Sequence, residues 1–117
     1  MQRTEKYYEA DAFRREATGR ILAVEPGKTG GKLALDGTVF YPEGGGQPAD
    51  RGTLTLADGT VLHVTDVHES EGVIWHTVDA LPAGAVPGAE AAESIDWEWR
   101  FDKRQLHGPA AYLPSYF

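Results

Sequence analysis

The chain has 117 residues, 41 % of them hydrophobic and 25 % charged, with a net charge of −7 and no cysteine. This length admits one domain with a real but modest core, and the missing cysteines remove disulfides and thiolate metal ligands. The acidic balance excludes a wide basic face for nucleic acid but leaves room for a small local contact with an RNA end. No apolar run approaches the ~20 residues of a membrane span. The polar N-terminus lacks the apolar core of a signal peptide, so a cytoplasmic protein without membrane contact is expected.

Residues 1–13 mix charge with Tyr7, Tyr8 and Phe13 and read as an N-terminal arm containing one short strand. Arg15 to Glu25 is strand-like, and Pro26-Gly27-Lys28-Thr29-Gly30-Gly31 is turn chemistry. Lys32 to Leu35 leads through Asp36-Gly37 to Val39, Phe40 and Tyr41. Asp-Gly between apolar runs predicts a hairpin there. The same arrangement returns around Asp58-Gly59, where Thr53–Leu56 and Val61–Val67 alternate with period two. Gly72 to Val78 and Ala89 to Trp97 read as further strands, separated by a Pro- and Gly-rich loop over Leu81–Gly88. Short strands at this spacing predict a mainly β fold, a sandwich or a barrel. From Asp96 the pattern turns helical. Asp96 is placed to cap a helix carrying Trp97, Arg100, Phe101, Arg104 and Gln105, which Gly108-Pro109 would stop.

The segment richest in information is Thr38-Val39-Phe40-Tyr41-Pro42-Glu43-Gly44-Gly45-Gly46-Gln47-Pro48. Pro42 and Pro48 fix their own φ and donate no hydrogen bond. Gly44, Gly45 and Gly46 tolerate positive φ and carry no Cβ. By composition alone this is either a tight turn at a barrel corner or a bare backbone surface for a ligand.

This string resembles the AlaX family and the editing domain of alanyl-tRNA synthetase. Asp50, Gly52, His76-Thr77-Val78, Asp96-Trp97-Glu98-Trp99-Arg100-Phe101-Asp102 and the opening Thr4-Glu5-Lys6-Tyr7-Tyr8 extend the resemblance over residues 4 to about 107. It implies a small Greek-key barrel of the translation-protein type over residues 1–95. The start of an editing half would follow at 96–117, atypical and truncated, with its short C-terminal helix or tail. The activity implied is zinc-dependent hydrolysis of tRNA(Ala) mischarged with serine or glycine. The acceptor end of tRNA(Ala) would then meet Glu43, Gly44, Gly45, Gly46, Gln47 and Pro48. The Gln47 amide, which both donates and accepts, suits a substrate with a hydroxyl and an ester carbonyl.

The family's zinc ligands are a His-x-x-x-His pair and a distant Cys-x-x-x-His pair. His107 falls on the first of these histidines, but Ala111 stands where the second belongs, and no cysteine is present. One imidazole does not make a zinc site. The expectation is therefore a chain that holds no zinc and hydrolyses nothing by itself. A frameshift or truncation at the metal motif would produce such a tail, and sequencing of the genomic locus tests that. The alternative is a non-catalytic module that binds a tRNA acceptor end or docks on a synthetase.

The other candidates read as structural. His63 alternates onto a solvated face, His68 sits in a polar loop with Glu69 and Glu71, and His76 is a strand histidine. Asp50 and Arg51 form a local pair or anchor the loop, Glu43 is a base, a tRNA contact or a solvated charge, and Thr38, Thr77 and Ser94 have no base beside them in sequence. Trp97 and Phe101, four apart, are expected to cover the barrel bottom. Exposed, this aromatic surface near the C-terminus would favour a homo-oligomer.

Overall fold

The computed structural model describes residues 2–11 and 13–103. The arm forms strand β1 (Glu5–Lys6) and the single turn α1 (Tyr7–Ala10). Next come β2 (Glu16–Pro26), β3 (Gly31–Leu35), β4 (Gly37–Thr38), β5 (Gly52–Leu56), β6 (Val61–Ser70), β7 (Val73–Val78), β8 (Glu90–Ile95) and the helix α2 (Trp97–Lys103). Six strands close into an antiparallel barrel in the order β2-β3-β7-β6-β5-β8, while β1 and β4 pair in parallel beside it. Strands β5, β6 and β7 follow one another as hairpins and β8 returns beside β5, which is a Greek key. The mainly β barrel expected from strand spacing is the fold observed.

Alternation puts Leu54 and Leu56, Leu62 and Val64, and Ala91 and Ile95 inside. A register shift between Val64 and Asp66 returns Val67 to the interior after an odd step. With Ile21, Leu33, Leu35, Val39, Phe40, Ile74 and Val78 these residues make one continuous core. Strand β2 is long because it serves two neighbours. Glu16 to Arg20 pair with β8 and Ile21 to Pro26 with β3. It turns that corner at Gly19, where a Cβ would crowd the Glu93 carboxylate and the Gly37 carbonyl.

The two Asp-Gly pairs behave differently. Asp58-Gly59 is the hairpin turn expected, with Gly59 at φ 91° and Leu56 and Thr60 hydrogen-bonded at 2.8 Å. Asp36-Gly37 is not a hairpin. Strand β3 pairs with β2 and β7, and the chain after Asp36 runs into β4. Gly37 lies outside the positive-φ region a type I′ turn needs; it is small because a Cβ there would enter the Tyr7 ring. The Asp36 carboxylate is spent on the Arg20 N–H at 2.8 Å.

The arm is stitched to the barrel end. The Thr4 hydroxyl donates to the Leu35 carbonyl at 2.7 Å and accepts the Ile74 N–H at 2.9 Å. At the other terminus Asp96 caps α2, its Oδ1 accepting the Trp99 N–H at 3.0 Å. Arg104, Gln105, His107 and Gly108-Pro109 lie outside the described residues. Among the described residues no helix is long and apolar enough to cross a membrane.

Candidate functional site

Residues 41–50 form a projecting loop between β4 and β5. Its base is a backbone pair, since the Asp50 N–H donates to the Tyr41 carbonyl at 3.0 Å. One leg is tied to the barrel by the Glu43 N–H on the Val67 carbonyl at 2.9 Å. At the tip Gly44 and Gln47 exchange both backbone hydrogen bonds, at 3.2 and 2.9 Å. Gly45 and Gly46 sit between them at φ 57° and 81°, the signature of a type I′ turn.

The reasons for glycine separate along the triplet. Gly45 and Gly46 are required by backbone conformation. Gly44 takes no positive φ, and a Cβ on any of the three would meet nothing within 4 Å. Nothing in the folded chain asks for glycine at 44, so a bare, solvent-facing backbone stands at the loop tip. Glu43 and Pro48 beside it are exposed, and Gln47 is half-buried. The Gln47 Oε1 is buried with no hydrogen-bond partner among the described residues.

The loop base is clamped by α2. Asp50 is fully buried and receives the Arg100 guanidinium through Nε at 3.1 Å and through Nη2. The second carboxylate oxygen also accepts the Tyr41 N–H at 2.8 Å. Arg100 Nη2 reaches the Val39 carbonyl at 2.9 Å, and Trp99 Nε1 donates to the Ala49 carbonyl at 2.8 Å. Of the two alternatives read from sequence, a local Asp50–Arg51 pair or an anchor for the loop, Asp50 takes the second, through a buried long-range pair with Arg100. Arg51 instead lies over the Trp99 ring, 4.0 Å from its centroid.

Two buried titratable groups lie behind the loop. His76 is sealed, as a strand histidine should be. Its Nδ1 faces the Leu33 carbonyl at 3.1 Å, which can only accept, so that nitrogen carries the proton; Nε2 then accepts the Thr38 hydroxyl at 2.8 Å. Burial pushes its pKa down to about 4, so the ring is neutral. The fold thus brings a base to Thr38 that sequence adjacency did not reveal. Both residues have zero exposure, so no substrate reaches them.

Glu93 is the residue the sequence reading passed over. It is buried, its Oε1 accepts the Val39 N–H at 2.9 Å, and its Oε2 has no partner among the described residues. Burial pushes its pKa up to about 7, partly offset by the Val39 N–H. The signal was there: Glu93 shares the inward register of Ala91 and Ile95.

The remaining expectations divide. His63 is exposed and solvated as read. Trp97 packs against the core, with the Phe13 ring at 6.0 Å and Arg15 at 4.4 Å. Phe101 is 50 % exposed and does not cover the barrel end. Among the described residues no group of His, Asp and Glu could hold a metal ion, and both nitrogens of His76 are spent. His107 lies outside the described residues. The residues described do not fit zinc, so no step is derived through it.

The profile of tRNA synthetases class II (A) matches residues 7–99. Alanyl-tRNA editing protein AlaX-M of Pyrococcus horikoshii is 39 % identical over 105 residues, covering 89 % of this chain and 44 % of that protein. AlaX-L of the same organism is also 39 % identical, over 88 % of this chain and 25 % of its own length. Alanine–tRNA ligase of Pyrobaculum neutrophilum is 38 % identical over 92 % of this chain and 11 % of the ligase. The chain thus spans less than half the length of these curated relatives.

Proposed function

This chain belongs to the family of alanyl-tRNA editing proteins and alanine–tRNA ligases, and from that premise we propose that its 44–47 turn receives the aminoacyl end of tRNA(Ala). The observation that carries the reading is the outward, side-chain-free backbone at Gly44–Gly46, flanked by the exposed Glu43 and Pro48. The role is binding and orientation: the turn holds the ester while the Asp50–Arg100 clamp keeps the turn in place.

The family activity, zinc-dependent deacylation of Ser- or Gly-tRNA(Ala), needs groups that the described residues do not supply. Among the described residues the accessible part of the site shows no nucleophile and base in contact, and the Thr38–His76 pair is sealed. The chain alone is therefore read as a tRNA-binding member that does not turn over, working where translation occurs, in the cytoplasm. The aromatic surface near the C-terminus, of which Phe101 is half exposed, is its proposed self-association surface.

Two measurements test the reading. In deacylation of Ser-tRNA(Ala) with added zinc, no turnover is expected, and turnover that survives His107→Ala would show that the chemistry is wrongly assigned. In binding of tRNA(Ala), Gly45→Val should abolish affinity while circular dichroism shows the barrel intact. Undiminished affinity would remove the turn from the site.

A further inference from the structure

The chain is acidic overall, yet two exposed cations stack on the tryptophans of α2. Arg15 lies over Trp97 at 4.4 Å and Arg51 over Trp99 at 4.0 Å. Both arginines are exposed. Neither has a side-chain hydrogen bond or an ion pair among the described residues. A stacked guanidinium has already lost much of its rotamer freedom while its N–H donors stay unspent.

Their positions are set by the sheet. Strand β8 lies between β2 and β5, Arg15 precedes β2, and Arg51 precedes β5. The Arg15 carbonyl accepts the Ile95 N–H at 3.0 Å and the Arg51 carbonyl accepts the Asp96 N–H at 2.6 Å. The two backbones therefore stand about two strand spacings apart, roughly 10 Å. Trp97 and Trp99 are about 200° apart around α2, so one arginine stacks on each flank of the helix. The Arg51–Trp99 pair continues directly into the loop, because Trp99 Nε1 is bonded to the carbonyl of Ala49 next to Pro48.

We propose that Arg15 and Arg51, each braced on a tryptophan, form a phosphate-contacting rim that seats the RNA backbone leading to the 44–47 turn. The partner is an RNA strand and the contact is independent of base sequence. This rests on the reading of the turn as the acceptor-end site and extends it to the strand behind that end. A fork of planar donors suits phosphate oxygens better than a flexible ammonium. With a net charge of −7, affinity for RNA must come from a few well-placed cations, not from the general field.

The test is RNA binding by the full chain as a function of salt. The probes are an acceptor-stem hairpin of tRNA(Ala) with its single-stranded 3′ end and a stem of scrambled sequence. The double variant Arg15→Gln, Arg51→Gln should bind both more weakly. The slope of log K against log salt should shrink by about two, so between 50 and 200 mM salt the wild type loses roughly tenfold more affinity than the variant. Both positions are exposed, so melting temperature should hold. Lys28→Gln, Lys32→Gln, at the far end of β2, removes the same charge and should leave the slope unchanged.

An unchanged slope in the arginine variant would overturn the proposal. So would an equal loss in the lysine variant, or a wild type that binds neither RNA. Loss of self-association without loss of RNA binding would show instead that the arginines serve a protein contact. Sensitivity to Gly45→Val with an unchanged arginine slope sinks the rim alone. An arginine-dependent slope indifferent to Gly45→Val sinks the acceptor-end reading and leaves the rim standing.

Discussion

Replacing Glu93 by Gln should convert a flat pH–stability profile into a steep one. In the native state Glu93 titrates near pH 7 instead of 4.5, and His76 near 4 instead of 6.5. Glu93 is an acid with a raised native pKa, so its contribution is present below pH 4.5 and is lost as pH rises through 7. His76 is a base with a depressed native pKa, so its contribution is present above pH 6.5 and is lost as pH falls through 4. Between pH 4.5 and 6.5 the native state holds one extra proton on Glu93 and lacks one on His76, so the two slopes cancel. The Gln variant keeps only the histidine slope. Its stability relative to wild type should rise by 1.36 kcal/mol per pH unit across this window, about 3 kcal/mol by pH 7, and stay level above. Urea denaturation followed by tryptophan fluorescence between pH 4 and 8 measures the difference. A stability difference that does not change between pH 4.5 and 7 would refute the reasoning, because a carboxyl ionised throughout that range could not be buried as described.

Arg100→Met strands the Asp50 carboxylate in the interior and should cost about 3–5 kcal/mol in chemical denaturation, much of it recovered in Asp50→Asn, Arg100→Met. Asp96→Ala removes the acceptor for the Trp99 N–H and should cost about 1 kcal/mol, read as a lower melting temperature. Gly46→Ala, at φ 81°, should destabilise by about 1–2 kcal/mol. Gly44→Ala, with open space at its Cβ, should leave stability within about 0.5 kcal/mol while weakening tRNA(Ala) binding in a filter assay.

The strands were legible because alternation and turn chemistry are local. Leu54, Leu56, Leu62 and Val64 announce their inward face, and Asp58-Gly59 announces its turn. The Gly loop was legible as a string, because consecutive glycines between two prolines favour a turn over a continuing strand. Glu93 had a local signal in its inward register, and His68, read in a loop, lies in β6; the other misses were long-range. Asp36-Gly37 has the chemistry of a hairpin, but Tyr7 packs where its Cβ would stand and the arm takes the next residues into β4. Asp50 has a cation next to it in sequence yet pairs with one fifty residues away. The Thr38–His76 contact joins residues thirty-eight apart. No periodicity reports such contacts, because each depends on how the barrel closes.

The buried charges have a common explanation in the segment 39–41. The chain leaves the two-residue strand β4 here and has no neighbouring strand to satisfy its backbone, though it is almost wholly enclosed. Side chains take the place of a ladder. Glu93 accepts the Val39 N–H, Arg100 donates to the Val39 carbonyl, Thr38 accepts the Phe40 N–H, and Asp50 accepts the Tyr41 N–H. Leaving those backbone groups unpaired would cost about 1–3 kcal/mol each, which these buried side chains avoid. A barrel built only of apolar side chains would gain nothing that could hold this segment at one position. Since Tyr41 is the first residue of the projecting loop, the same contacts that settle the hydrogen-bond account also set where the 44–47 turn stands.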